Sequence, residues 1–105
     1  MLPLVVHAPD TGLGEILWGL ACTVAGYSGV RGMLYRRTGE AVTVWIVAPA
    51  PMGRPMRLLA GVWARELGRA DPTRRWAIRV SEDPPRPGGA FRCLFWRKSW
   101  DPGDP

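Results

Sequence analysis

Between Val30 and Ala48 the chain carries two β-forming runs, Val30–Arg36 and Glu40–Ala48, separated by Arg37, Thr38 and Gly39. No other stretch constrains the fold as tightly. Runs rich in β-branched and aromatic residues around a Gly-bearing loop specify a hairpin, and a two-stranded hairpin is barely stable alone in water. The rest of the chain has to supply the surface that covers it.

The loop length decides which side chains share a face. A three-residue loop, Arg37-Thr38-Gly39, aligns Val30, Gly32 and Leu34 with Val42, Val44 and Ile46. It also gives Gly39 the positive φ of a type I turn plus bulge and sets Arg36 opposite Glu40. A two-residue loop would place Met33, Tyr35 and Arg37 beside those branched residues instead. The three-residue loop is the expectation, and it leaves Arg31, Met33 and Tyr35 on one face with Thr43, Trp45 and Val47.

Two helices are expected to cover the hairpin. Leu13, Ile16, Leu17, Leu20 and Val24 form a helical stripe over residues 12–25, with Asp10 as N-cap, Glu15 in the first turn and Gly26 as a left-handed C-cap. Trp18 and Cys22 fall on its far side, so the helix reads as apolar nearly all round and largely buried. The uncharged run Ile16–Val30 is shorter than the roughly 20 residues of a membrane span. A second helix follows Pro49-Ala-Pro-Met-Gly-Arg-Pro, with Pro55 in its first turn and Met56, Leu59, Ala60, Trp63 and Leu67 as its stripe. Leu58 and Val62 lie off that stripe, and Asp71-Pro72 ends the helix.

Three further strands complete the reading. Leu2–His7 precedes the first helix. Arg74–Ser81 sets Trp76, Ile78 and Val80 against Arg75, Ala77, Arg79 and Ser81. Ala90–Lys98 sets Phe91, Cys93 and Phe95 against Arg92, Leu94, Trp96 and Lys98. The Pro-rich loop 82–89 divides the last two, and Trp100 closes the final strand. The expected fold class is α+β, a two-layer β-α-β-β-α-β-β order with the ferredoxin-like split βαβ arrangement. Both helices then lie on one face of an antiparallel sheet, with the extra C-terminal strand beside the fourth. At 105 residues this is one domain over 1–100, followed by a solvated tail at 101–105.

Fourteen basic residues oppose nine acidic ones for a net charge of +5. Thirteen of the fourteen are Arg, and the chain has neither Asn nor Gln. Missing amides fit a thermophile, and guanidinium forks suit phosphate and carboxylate. The start of the chain lacks a basic n-region, and the two cysteines match no metal spacing, so a cytoplasmic protein with free, buried thiols at Cys22 and Cys93 is expected.

Catalytic constellations are sparse. Asp10-Thr11-Gly12 resembles the aspartic-protease triplet, but Pro9 precedes it and a helix follows, which suits an N-cap better. Gly12-Leu-Gly14 lacks the third glycine of a dinucleotide-binding turn, where Leu17 stands. His7 is the sole histidine. Its functional version is a general base for RNA cleavage, and its structural version is a strand residue. No catalytic residue, metal site or cofactor is expected.

The open sheet face carries the functional reading. The expected face mixes cations (Arg31, Arg75, Arg79, Arg92, Lys98) with aromatics (Tyr35, Trp45, Trp96), joined by Met33, Val5 and His7. Open sheets with such a face bind single-stranded nucleic acid by stacking bases on rings and contacting phosphates with Arg. The resemblance to RNA-recognition sheets is architectural, because the basic-Gly-aromatic-Gly-aromatic signature of that family is absent. A second class suits the same residues: a protein-interaction module, either a homodimer or a small subunit docking on a larger assembly. A membrane partner is not expected.

Overall fold

The computed structural model describes residues 12–85 and 90–97. In chain order these form α1 (Leu13–Ala25), β1 (Gly32–Thr38), β2 (Ala41–Val47), α2 (Gly53–Ala70), β3 (Arg75–Ser81) and β4 (Arg92–Trp96). The protein is α+β, and its described strands form one mixed sheet in the order β3-β2-β1-β4. β1 pairs antiparallel with β2 and with β4, while β2 and β3 run parallel. The parallel step follows from the length of α2. Its 18 residues span about 27 Å at ~1.5 Å per residue, enough to carry the chain back along a seven-residue strand of about 23 Å.

Both helices lie on the same side of the sheet. Leu17, Leu20 and Val24 of α1 and Met56, Trp63 and Leu67 of α2 join Met33, Val42, Val44 and Ile46 in one buried cluster. Trp76, Ile78 and Val80 of β3 pack against it, as the alternation of that strand implies.

Two polar devices close the fold. At the end of α2, Asp71 is 7% exposed. Its carboxylate accepts from Thr73 Oγ1 and Arg74 Nη1, each at 2.8 Å, and from Trp76 Nε1 at 3.2 Å. Burial pushes the Asp71 carboxyl up, but the bonds from Arg74, Thr73 and Trp76 and the Arg74 charge outweigh it and hold the group below its ordinary value. At the end of α1, Arg97 reaches back across the chain. Its Nε donates to the Val30 carbonyl at 2.9 Å and its Nη2 to the carbonyls of Ala25 and Tyr27. Helix C-termini leave carbonyls unsatisfied, and this guanidinium takes up that of Ala25.

Several expectations are corrected. The hairpin turns on two residues, Gly39 and Glu40, with Thr38 opposite Ala41 and Met33 opposite Ile46. Gly39 has φ +62°, at the first central position, where a type II′ turn requires it; such turns match the twist of the flanking strands. The parity therefore inverts: Met33 is fully buried and Tyr35 packs against the core, while Leu34 and Arg36 share the other face with Thr43 and Trp45. Val30 is still buried because it lies ahead of β1, in a turn held by its N–H to the Tyr27 carbonyl at 3.0 Å.

The last strand also differs. β4 pairs with β1, not with β3. The sheet is mixed because β2 and β3 pair directly in parallel, with no described strand between them as a split βαβ unit would require. A register shift between Met33 and Leu34 leaves Leu94 as an extra residue. Leu94 and Phe95 then both pack against the core, and Cys93 falls opposite Leu34 on the open side. Cys22 and Cys93 are both exposed. α1 buries one side only, and Trp18 on the other is 68% exposed, because no further layer of described residues lies beyond it. Its N-cap position is held by Gly12 without a side-chain bond, and Gly26 is right-handed at φ −66°. The expected strand Leu2–His7, the Asp10 cap, residues 86–89, Lys98, Trp100 and the tail lie outside the described residues.

Candidate nucleic-acid interface

The side of the sheet away from the helices is set by the register. One level runs Arg79, Trp45, Leu34, Cys93 across the four strands, and the next runs Ala77, Thr43, Arg36 across three. Ser81, Val47, Gly32 and Trp96 form a third level, and Arg75 with Ala41 a fourth.

Cations and rings meet at two places on this side. In the first, Phe91 stands edge-on to Trp45 with ring centroids 5.5 Å apart at 80°. Arg36 lies over Phe91 at 4.7 Å and Arg79 beside Trp45 at 5.9 Å. The four make a row: cation, ring, ring, cation. Ala90, with φ +62°, turns the incoming chain directly before Phe91. In the second, Arg31 lies over the Trp96 ring at 5.0 Å, and Trp96 sits against Gly32. Such contacts hold a guanidinium flat and lower the rotamer entropy lost when it binds an anion.

Of the expected face residues, Trp45, Arg75 and Arg79 stand on the open side, and Arg31 and Trp96 meet there. Tyr35 and Met33 do not. Arg92 is opposite Tyr35 at the start of β4, and Lys98, Val5 and His7 lie outside the described residues. Arg36 and Phe91 belong to the row and were not expected there. Arg36 was hidden by the hairpin parity. Phe91 was hidden because strict alternation through Cys93 and Phe95 assigns it to the core. The register shift in β4 breaks that alternation.

The row is tethered to the segment that follows β3. Trp45 donates its indole N–H to the Asp83 carbonyl at 3.1 Å, and the Asp83 N–H bonds Ser81 Oγ at 3.3 Å. The segment after β3 is thereby fastened to the rim of the face.

Beside the row the sheet is notched. β4 begins at Arg92 opposite Tyr35, whereas β1 continues to Thr38. The notch is an open cavity of about 670 Å³ lined by Leu13, Tyr35, Arg36, Arg37, Ala90, Phe91 and Arg92.

Among the described residues no three of His, Cys, Asp and Glu gather as a metal site would need. Although Cys93 is exposed, partial desolvation by its neighbours pushes its thiol up, which disfavours the reactive thiolate. No helix among the described residues is long and apolar enough to cross a membrane. Comparison with protein-family models, with curated proteins and with solved structures finds no match.

Proposed function

We propose that this protein binds single-stranded nucleic acid across the open side of its sheet. The observation that carries the reading is the row Arg36, Phe91, Trp45, Arg79, two rings in contact with a guanidinium at each end. Bases stack on such rings at about 1–3 kcal/mol each, and arginines take the phosphates between them. Arg75 and the Arg31–Trp96 pair extend the footprint along the sheet. Three of the four exposed arginines of α2, Arg57, Arg65 and Arg69, add a long-range attraction for a polyanion.

The test is fluorescence anisotropy of labelled mixed-sequence RNA and DNA single strands at low and near-physiological salt. Binding that weakens with salt but persists, with quenched tryptophan emission, is expected. A complete absence of binding at low salt sinks the proposal.

A second reading has its own support. Trp18, Leu58 and Val62 are 68%, 72% and 52% exposed, and Trp18 with Cys22, Leu94 and Phe95 edges a small apolar groove of about 110 Å³. Exposed apolar groups on both helices suit a protein-interaction module. Light scattering that gives a dimer for the native protein and a monomer for Trp18→Ser would favour it.

A further inference from the structure

We infer that the notch between β1 and β4 is the seat of a terminal phosphate monoester of the bound strand, which rests on the nucleic-acid reading above. Among the described residues, seven line the cavity, three of them arginines and none acidic. So concentrated a positive charge favours an anion, and its geometry favours one of compact form. Arg36 is held over the Phe91 ring at 4.7 Å. Arg37 is held by its Nε–H, which donates to the Gly39 carbonyl at 3.0 Å. Arg92 is the first residue of β4 and is carried by a paired strand. Guanidinium forks steadied in this way lose less freedom on forming paired hydrogen bonds to phosphate oxygens.

A monoester fits better than a diester of the chain interior. It carries a charge of about −1.5 to −2 and three acceptor oxygens near neutral pH, against a single charge for a backbone diester. Three arginines around one cavity match the former. A diester also needs room for the strand to leave on both sides, and here Leu13 of α1 stands on the helix side of the cavity. The strand therefore ends in the notch. Its path continues from there without a break, because Arg36 and Phe91 belong both to the cavity and to the row on the open face. Tyr35 and Phe91 offer rings to the last base.

The test compares three oligonucleotides of one sequence carrying an internal label: unphosphorylated, 5′-phosphorylated and 3′-phosphorylated, at near-physiological salt. One phosphorylated form is expected to bind about tenfold tighter than the unphosphorylated strand, the size of one charge-assisted hydrogen bond. Which form gains identifies the strand end. The ratio of the two affinities is expected to collapse in the double variant Arg37→Gln/Arg92→Gln. It should survive in Arg65→Gln, which removes a charge from α2 away from the notch. Equal affinities for all three strands, or a ratio kept by the double variant, overturns the terminal-phosphate site while the face reading stands. Failure of all three strands to bind overturns both.

Discussion

The indole of Trp96 fills the space that any side chain at Gly32 would need. A Cβ there would overlap Cε3 of the ring and stand 2.8 Å from Cζ3 and 3.0 Å from the Phe95 carbonyl oxygen. Glycine in a strand interior is otherwise a weakness, because it loses backbone freedom and packs nothing. Here the aromatic ring on the neighbouring strand covers the gap, and the pair fastens β4 to β1. Gly32→Ala is expected to cost about 1–3 kcal/mol by overpacking, read in urea unfolding. Trp96→Ala added to that variant should recover part of the loss, since the two residues share one space. Additive effects of the two changes would refute the contact.

The carboxylate of Asp71 makes a second prediction, on acid stability. Its pKa is depressed in the folded state, so its contribution is present above its ordinary value of 3.8 and is lost as pH falls through the folded value. Asp71→Asn should be less stable than the native protein at pH 7, and its stability should fall less between pH 5 and pH 2. Parallel stability curves for the two proteins over that range would show that Asp71 does not contribute in this way.

Arg97 joins the last described strand to the end of the first helix. Arg97→Lys keeps the charge but loses the fork that reaches Ala25, Tyr27 and Val30 together. A loss of about 1.5–3 kcal/mol is expected, the scale of hydrogen bonds to a charged group. Faster amide exchange should appear in the last turn of α1. Unchanged exchange there would place the importance of Arg97 elsewhere.

On the open face, Trp45→Ala should weaken single-strand binding by about 1–3 kcal/mol. Trp45→Phe retains a ring but removes the bond to Asp83, so it separates stacking from the tethering of that loop. Arg79→Gln should lower the slope of log affinity against log salt by about one charge. A Trp45→Ala protein that binds as well as the native one would remove stacking from the proposal.

The helices and β3 were legible from the sequence for a local reason. Met56, Ala60, Trp63 and Leu67 repeat at helical spacing, and Trp76, Ile78 and Val80 alternate at strand spacing, so each element announces its own buried side. The hairpin was legible as a hairpin but not in its parity. Both loop lengths set apolar side chains beside Val42, Val44 and Ile46: Val30 and Leu34 in one register, Met33 and Tyr35 in the other. Local pattern does not rank two such cores, and turn twist together with packing under α1 does. Arg36 exchanged places with Tyr35 as a result. The core assignment of Cys93 failed for a related reason, since a bulge shifts alternation by one residue and leaves no local mark.

Local interactions along the sequence thus determined a small basic α+β protein with two helices, a central hairpin and Arg-bearing strands, while the one-sided burial of α1 emerged only from the structure. Three further things were decided only by the tertiary structure: the sheet order, which sets β4 against β1; the side on which Arg36 lies; and the meeting of Phe91 with Trp45. Each depends on contacts between segments distant along the chain. Their energies come from the fit of Trp96 over Gly32, the reach of Arg97 to the end of α1 and the filling of one shared core. None of these is expressed in the periodicity of any single segment.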